Sequence, residues 1–256
     1  MLLAADIGNS TTKLGLFHGE DLVDHWRLST EPRRSSDEVA LQLAGLLDFE
    51  GLRFDRDVAG LVIGSVVPTV TEVYREFAER YLPGQALVVE PGVRTGLALR
   101  HEHPQDLGAD RILNAVAAQA LYGGPAIVVD FGTAISFDAI DDTGAFVGGA
   151  IAPGVSTATE ALVERAARLP RVEIVAPASA LGRSTVTALQ SGIVFGAAGQ
   201  VDRLVARIGA ELGPGVTTVA TGLVPSAVLQ ACETIDHHDP WLTLKGLRLV
   251  WERNDR

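Results

Sequence analysis

Leu2-Leu3-Ala4-Ala5-Asp6-Ile7-Gly8-Asn9-Ser10-Thr11, running on into Lys13-Leu14-Gly15-Leu16-Phe17, has a near echo in the middle of the chain. There Ala126-Ile127-Val128-Val129-Asp130-Phe131-Gly132-Thr133-Ala134 runs on into Ile135-Ser136-Phe137-Asp138. Each stretch reads as a buried strand, an Asp-x-Gly turn with small hydroxyl or amide residues, and a second strand. The glycine permits a tight turn and close backbone approach, and the small residues offer amide and hydroxyl donors. An Asp at the end of a strand can hold a hydrated cation. One such hairpin is an ordinary structural turn. Two at matched places in similar halves carry more, because facing each other they would grip a polyphosphate from both sides.

Working outward, 256 residues allow one large domain or, more naturally, two of about 120 residues each. Hydrophobic residues at 47% and charged residues at 21% are ordinary globular usage. The formal net charge is −11, and the densest basic pair, Arg33-Arg34, sits among Ser, Pro and Glu. Phosphate-backbone binding needs clustered Lys and Arg, so nucleic acid is excluded as a partner. Cys232 is the only cysteine, which rules out an intramolecular disulfide and a cysteine-rich zinc site. Met1 to Ala5 are apolar but meet Asp6 at once, without the basic flank of a signal peptide. No uncharged run approaches the ~18–20 residues needed to span a bilayer. The expectation is a cytoplasmic protein with no membrane partner.

Segments 1–17 and 22–30 predict an antiparallel meander with His18-Gly19-Glu20-Asp21 as its first turn. Val39, Leu43, Leu46 and Leu47 predict a helix over Ser36 to Leu47, with Ser36 as N-cap. An apolar strand over 60–67, a helix over 69–81 and a strand over 86–89 follow. Residues 90–108 hold Pro91, Gly92, Gly96, Pro104 and Gly108, an irregular stretch of the length that is usually functional. A helix over 110–122 stops at Gly123-Gly124-Pro125. The second half repeats strand, turn, strand, an Asp141-Asp142-Thr143-Gly144 hairpin and strand, then predicts helices at 155–167, 184–209, 225–231 and 244–254. The fold class expected is α/β: two similar domains, 1–115 and 116–256, with mixed sheets flanked by helices and a cleft between.

The chain has neither Gly-x-x-x-x-Gly-Lys-[Ser/Thr] nor Gly-x-Gly-x-x-Gly after a strand, which removes P-loop, dinucleotide and protein-kinase chemistry. Leu107-Gly108-Ala109-Asp110-Arg111 puts a carboxylate at a helix start, where capping is its ordinary role. Behind a glycine and before an arginine, Asp110 could instead take the proton of an alcohol attacking a phosphoryl group. Phe146 to Val155 carries paired glycines and Pro153-Gly154 at a turn into a helix. Leu181-Gly182-Arg183-Ser184-Thr185 is a small polar loop before another helix. His101-Glu102-His103 and His237-His238-Asp239 lack a third nearby ligand, so both read as polar loops. Trp26, Trp241 and Trp251 are too dispersed to stack bases.

In this order, Asp-Ile-Gly-Asn-Ser, Gly-Ala-Asp-Arg, Val-Asp-Phe-Gly-Thr-Ala, Gly-Gly-Ala-Ile-Ala-Pro-Gly, Leu-Gly-Arg-Ser-Thr and the closing Leu242 to Leu247 resemble the type III pantothenate kinases. The likeness runs from Asp6 nearly to Asn254. It implies two actin-like (ribonuclease H-like) domains, the fold of the acetate and sugar kinase, Hsp70 and actin superfamily, with ATP as phosphoryl donor, Mg2+, a monovalent cation (K+ or NH4+) and a homodimer. It implies ATP contacts from Asp6, Ile7, Gly8, Asn9, Ser10, Thr11, Thr12, Lys13 and Thr133. Pantothenate contacts would come from His101, Gly108, Ala109, Asp110, Arg111 and Thr185, the last from the neighbouring subunit. Asp110 would be the proton acceptor and Asp130 the monovalent-cation ligand. His101 stands where many members have Tyr, and Arg183 and Ser184 stand where Lys and Asn are frequent.

On this reading Asp6 orients metal-bound water. Lys13 shares a strand face with Thr11 and either reaches a phosphate or is an exposed strand lysine. Arg111 either pairs with the substrate carboxylate or braces Asp110. Two alternatives stay open: an accessory regulator of the same fold without catalysis, as some relatives are described, and a superfamily kinase for another small alcohol.

Overall fold

The computed structural model describes residues 1–166 and 168–254. The chain divides into two compact units. The first comprises Met1–Leu97, His103–Ala117 and the segment from Leu242 on; the second comprises Ala98–Glu102 and Ala118–Trp241.

In the first unit β1 (Leu2–Ile7), β2 (Thr11–His18) and β3 (Asp21–Ser29) form the expected meander. After α1 (Ser36–Phe49) and a short α2 (Phe54–Asp57), β4 (Gly60–Ser65) pairs parallel with β1. α3 (Pro68–Tyr81) then leads to β5 (Gln85–Val88), and the sheet order is β3-β2-β1-β4-β5. The period of two along β1 and β4 sorts side chains onto two faces. Leu3, Ala5, Ile7, Leu61 and Ile63 pack with Val39, Leu43 and Leu47 of α1 and Val70, Tyr74 and Phe77 of α3. The opposite face is built of small residues, so helices come very close to it. A methyl on Gly60 would lie 2.4 Å from the Trp251 ring, and one on Gly64 would lie 2.5 Å from Leu113 Cδ1. Trp251 belongs to α8 (Leu242–Asn254) and Leu113 to α4 (Ala109–Tyr122).

Here the observed division differs from the expected 1–115 and 116–256. The boundary falls inside α4, between Ala117 and Ala118, and α8 groups with the first unit. The physical reason is the fit of Leu244, Leu247 and Trp251 to that glycine-lined face. The cap of α1 also moves by one residue. Ser35 Oγ accepts from Glu38 N at 3.3 Å and Glu38 Oε2 accepts from Ser35 N at 2.7 Å, a reciprocal box that Ser36, itself buried, could not make with Glu38.

The second unit repeats the plan. β6 (Ala126–Phe131), β7 (Ala134–Ile140) and β8 (Phe146–Pro153) are an antiparallel meander. β9 (Thr217–Gly222) pairs parallel with β6, and β10 (His237–His238) parallel with β9, giving the order β10-β9-β6-β7-β8. Around them lie α5 (Val155–Arg165), α6 (Thr185–Leu212) and α7 (Ser226–Ala231). Ile127, Val129, Phe131, Ile135 and Phe137 face α6 through Val201 and Val205. The helix end expected at residue 167 lies outside the described residues. Neither β9 nor β10 was expected: Thr-Thr-Val-Ala-Thr-Gly lacks a clear apolar alternation, and His237-His238, read as a polar turn, is an edge strand held by β9. Residues 90–108 are irregular apart from one 3-10 turn at Pro104–Asp106 and a bridge from Leu99 to Phe146. Among the described residues no helix is long and apolar enough to cross a membrane.

Candidate functional site

In the first unit, Asp6 is the penultimate residue of β1 and sits in register between Lys13 on β2 and Gly64 on β4. Lys13 Nζ lies 3.4 Å from Asp6 Oδ2, and each side chain is only 11% exposed. Lys13 is therefore a buried ion-pair partner and not an exposed strand lysine. The turn beyond Asp6 is tied down by its own backbone and by β3. Gly8 N donates to Thr11 O at 3.0 Å, Thr30 N donates to Ser10 O at 3.1 Å, and the Thr30 hydroxyl donates to Gly8 O at 2.7 Å. Asn9 and Ser10 are left exposed at the tip. Two residues of the expected ATP stretch turn their side chains elsewhere. Ile7 is core, and the buried Thr12 hydroxyl is engaged by Thr30 at 2.9 Å, so either could offer a ligand only backbone.

α4 brings the Gly108–Arg111 segment to the same end of this sheet. Leu113 lies over Gly64, the register partner of Asp6, and Asp110 precedes Leu113 by one helical turn. Gly108 is shaped by Asp110: a methyl there would stand 2.3 Å from Asp110 Oδ1 and 3.4 Å from Val66 Cγ1. Only a residue without Cβ lets that carboxylate fold back over the chain. Asp110 and Arg111 are both half-buried, at a helix start whose dipole favours the ionised carboxylate. One supporting residue escaped the sequence reading. Asn114, fully buried, accepts from the Thr243 hydroxyl at 2.8 Å and so fastens α4 to α8.

In the second unit the turn after β6 is held from below. Gly132 N donates to Ala134 O at 2.9 Å, while Thr133 O accepts from Gly154 N at 3.0 Å and from the Thr157 hydroxyl at 2.8 Å. A methyl on Gly154 would lie 2.2 Å from Gly132 O, which accounts for Pro153-Gly154. The Thr133 side chain is left exposed. Asp130 stands in a cross-strand row between Ser136 on β7 and Thr221 on β9. The Ser136 hydroxyl donates to Asp138 Oδ2 at 3.4 Å, and Asp138 is fully buried. Beyond Thr221, Gly222 takes φ +84°, and a methyl on it would lie 2.3 Å from Asp130 Oδ1 and 2.4 Å from Phe131 O. This donor set is oxygen only, which suits a hard cation, and the cradle is one that a Cβ would fill. Asp6 also offers hard oxygen, as water-mediated Mg2+ binding needs. Among the described residues no group of three or more His, Cys, Asp and Glu could hold a metal ion by side chains alone.

Two expected substrate residues belong to this unit. Thr185 opens α6, exposed, behind the Ser184 cap, whose Oγ accepts from Thr187 N at 3.2 Å. His101 sets its ring 6.1 Å from that of Phe146, whereas His103 and Gly108–Arg111 fall in the first unit.

The type III pantothenate kinase profile matches residues 2–207. The chain belongs to the type III pantothenate kinase family. A type III pantothenate kinase of Streptomyces coelicolor is 51% identical, covering 99% of this chain and 98% of that protein. Those of Thermobifida fusca and Moorella thermoacetica are 50% and 49% identical, each covered in full over 99% of this chain. Among solved structures, a Baf family protein of Campylobacter jejuni, described as a transcriptional activator, superposes with TM-score 0.62 at 19% identity, over 99% of this chain and 98% of that one. Component A of (R)-2-hydroxyglutaryl-CoA dehydratase from Acidaminococcus fermentans gives 0.59 at 14%, over 100% and 99%. At those identities the likeness concerns the fold, and it supports the two-sheet, helix-flanked architecture of this pantothenate kinase family member.

Proposed function

We propose that this chain transfers the γ-phosphoryl group of ATP to the primary alcohol of pantothenate, giving 4'-phosphopantothenate and ADP at the first step of coenzyme A biosynthesis. The observation that carries the reading is the fit of Gly108 to the Asp110 carboxylate, at the same sheet end as Asp6 and Lys13, in a chain about half identical to named pantothenate kinases. Asp110 accepts the hydroxyl proton as the oxygen attacks phosphorus and the bond to ADP breaks. A positioned base of this kind contributes about 10²–10⁴-fold, with positioning and charge neutralisation supplying the rest. Backbone amides of Asn9 and Ser10, hydroxyls of Thr11 and Thr133, and the Lys13 ammonium bind the phosphates, with Gly8, its own amide spent on Thr11 O, shaping the turn. Mg2+, oriented through Asp6, would offset phosphate charge, and a monovalent cation at Asp130 would do the same beside the second turn. Arg111 supplies a fork for the pantothenate carboxylate, with Gly108, Ala109 and His101 completing the contacts. A homodimer places Thr185 at the partner's substrate.

The test is a coupled ADP-release assay with pantothenate and a panel of other small alcohols, with and without potassium. Turnover of pantothenate alone supports the reading. Turnover of another alcohol alone points to a different superfamily kinase, and none with any alcohol favours the regulatory alternative.

A further inference from the structure

The row that holds Asp130 contains one side chain that packing does not explain. Thr221 is fully buried, and among the described residues its Oγ1 has no hydrogen-bond partner. A buried hydroxyl left unpaired costs about 1–3 kcal/mol, whereas valine would fill nearly the same space on a strand without that penalty. The hydroxyl is therefore best understood through a second state in which it is used. Its neighbours say which. Thr221 is the parallel register partner of Asp130, on a strand about 4.8 Å away. The next residue, Gly222, leaves open the space into which Asp130 Oδ1 leans. A carboxylate has about four acceptor sites, so Asp130 can take a further donor whatever else it binds.

Resting on the reading of Asp130 as the monovalent-cation ligand, we propose that Thr221 is its positioning residue. When the cation is bound, the Thr221 hydroxyl donates to the Asp130 carboxylate and fixes the oxygen that faces the ion. The cation then stabilises the fold partly by satisfying a buried group that is otherwise unpaired.

The experiment compares wild type, Thr221→Val and Thr221→Ser as full-length proteins. Melting temperature is read in potassium chloride against sodium chloride at equal ionic strength, and the potassium activation constant is read at saturating ATP and pantothenate. Thr221→Val should melt as high as wild type in sodium but lose the potassium-specific rise. Its potassium requirement should increase about tenfold, the size of one hydrogen bond to a charged group. Thr221→Ser, which keeps the hydroxyl, should retain most of both responses. A wild-type potassium response in Thr221→Val overturns the proposal. So does an equal loss of stability in sodium for both variants, since that marks a packing role. If wild type itself shows no potassium-specific response, the Asp130 reading fails first, and the assignment of Thr221 falls with it.

Discussion

Replacing Gly108 by alanine puts one methyl group 2.3 Å from Asp110 Oδ1. The backbone at 108 is not in the left-handed region, so alanine is conformationally acceptable there and even gains about 0.4–1 kcal/mol by restricting the unfolded chain. Val66 Cγ1, at 3.4 Å, is in ordinary contact and does not resist. The whole effect therefore falls on the carboxylate, which must retreat by about 1 Å to reach normal van der Waals distance. A displacement of that size in a reacting group lowers turnover about a hundredfold. The expected phenotype is a well-folded enzyme, melting within a few degrees of wild type, with kcat for pantothenate down about 10²-fold and KM for ATP little changed. Asp110→Asn should lose about 10²–10⁴-fold in kcat, and adding Gly108→Ala to it should cost little more, because both changes disable one group. The readouts are coupled steady-state kinetics and thermal melting. Near-normal turnover in Gly108→Ala, or full additivity in the double variant, would refute the assignment of Asp110 as base.

Other outcomes follow from separate contacts. Lys13→Met removes the ammonium 3.4 Å from a nearly buried Asp6, and should lower stability by about 3 kcal/mol in urea titrations and raise KM for ATP; a loss under 0.5 kcal/mol would show that the pair matters little. Gly60→Ala drives a methyl against the rigid Trp251 ring at 2.4 Å and should cost about 1–3 kcal/mol, largely relieved by Trp251→Leu; without that relief, α8 does not pack as described. Burial, helped by the Asp202 charge, pushes the Cys232 thiol up to about 11 from 9.0. At pH 8 its alkylation by iodoacetamide should run about a hundredfold slower than for an ordinary thiol and recover on unfolding. Because the folded value lies above the unfolded one, this group supports the fold below pH 9 and loses that contribution as pH rises through 11.

Much of the plan was legible because it is periodic. Alternating apolar residues between Asp-x-Gly turns fix both meanders, and three- and four-residue spacing with Gly or Pro stops fixes most helices. The short strands β9 and β10 escaped because their residues are polar or small and become strands only by pairing beside β6. The reach of α8 into the first unit escaped for a related reason: nothing local in Leu242 to Asn254 says which sheet it covers. Among the site residues, Asp6, Asp110 and Asp130 stand out by their place at strand and helix ends. The pairing of Lys13 with Asp6 needed a register, and Thr221 needed a burial that only the sheet confers.

Sequence alone settled the duplicated hairpin-and-helix plan, the absence of P-loop chemistry and the carboxylates to watch, since these depend on local pattern and residue type. Tertiary structure alone decided that Ile7 and Thr12 serve the fold, that Gly108 exists for Asp110 and Gly222 for Asp130, and that Thr221 hides an unpaired hydroxyl. Those facts turn on which atoms meet across segments distant in the chain, and packing distance is not a property of any local stretch.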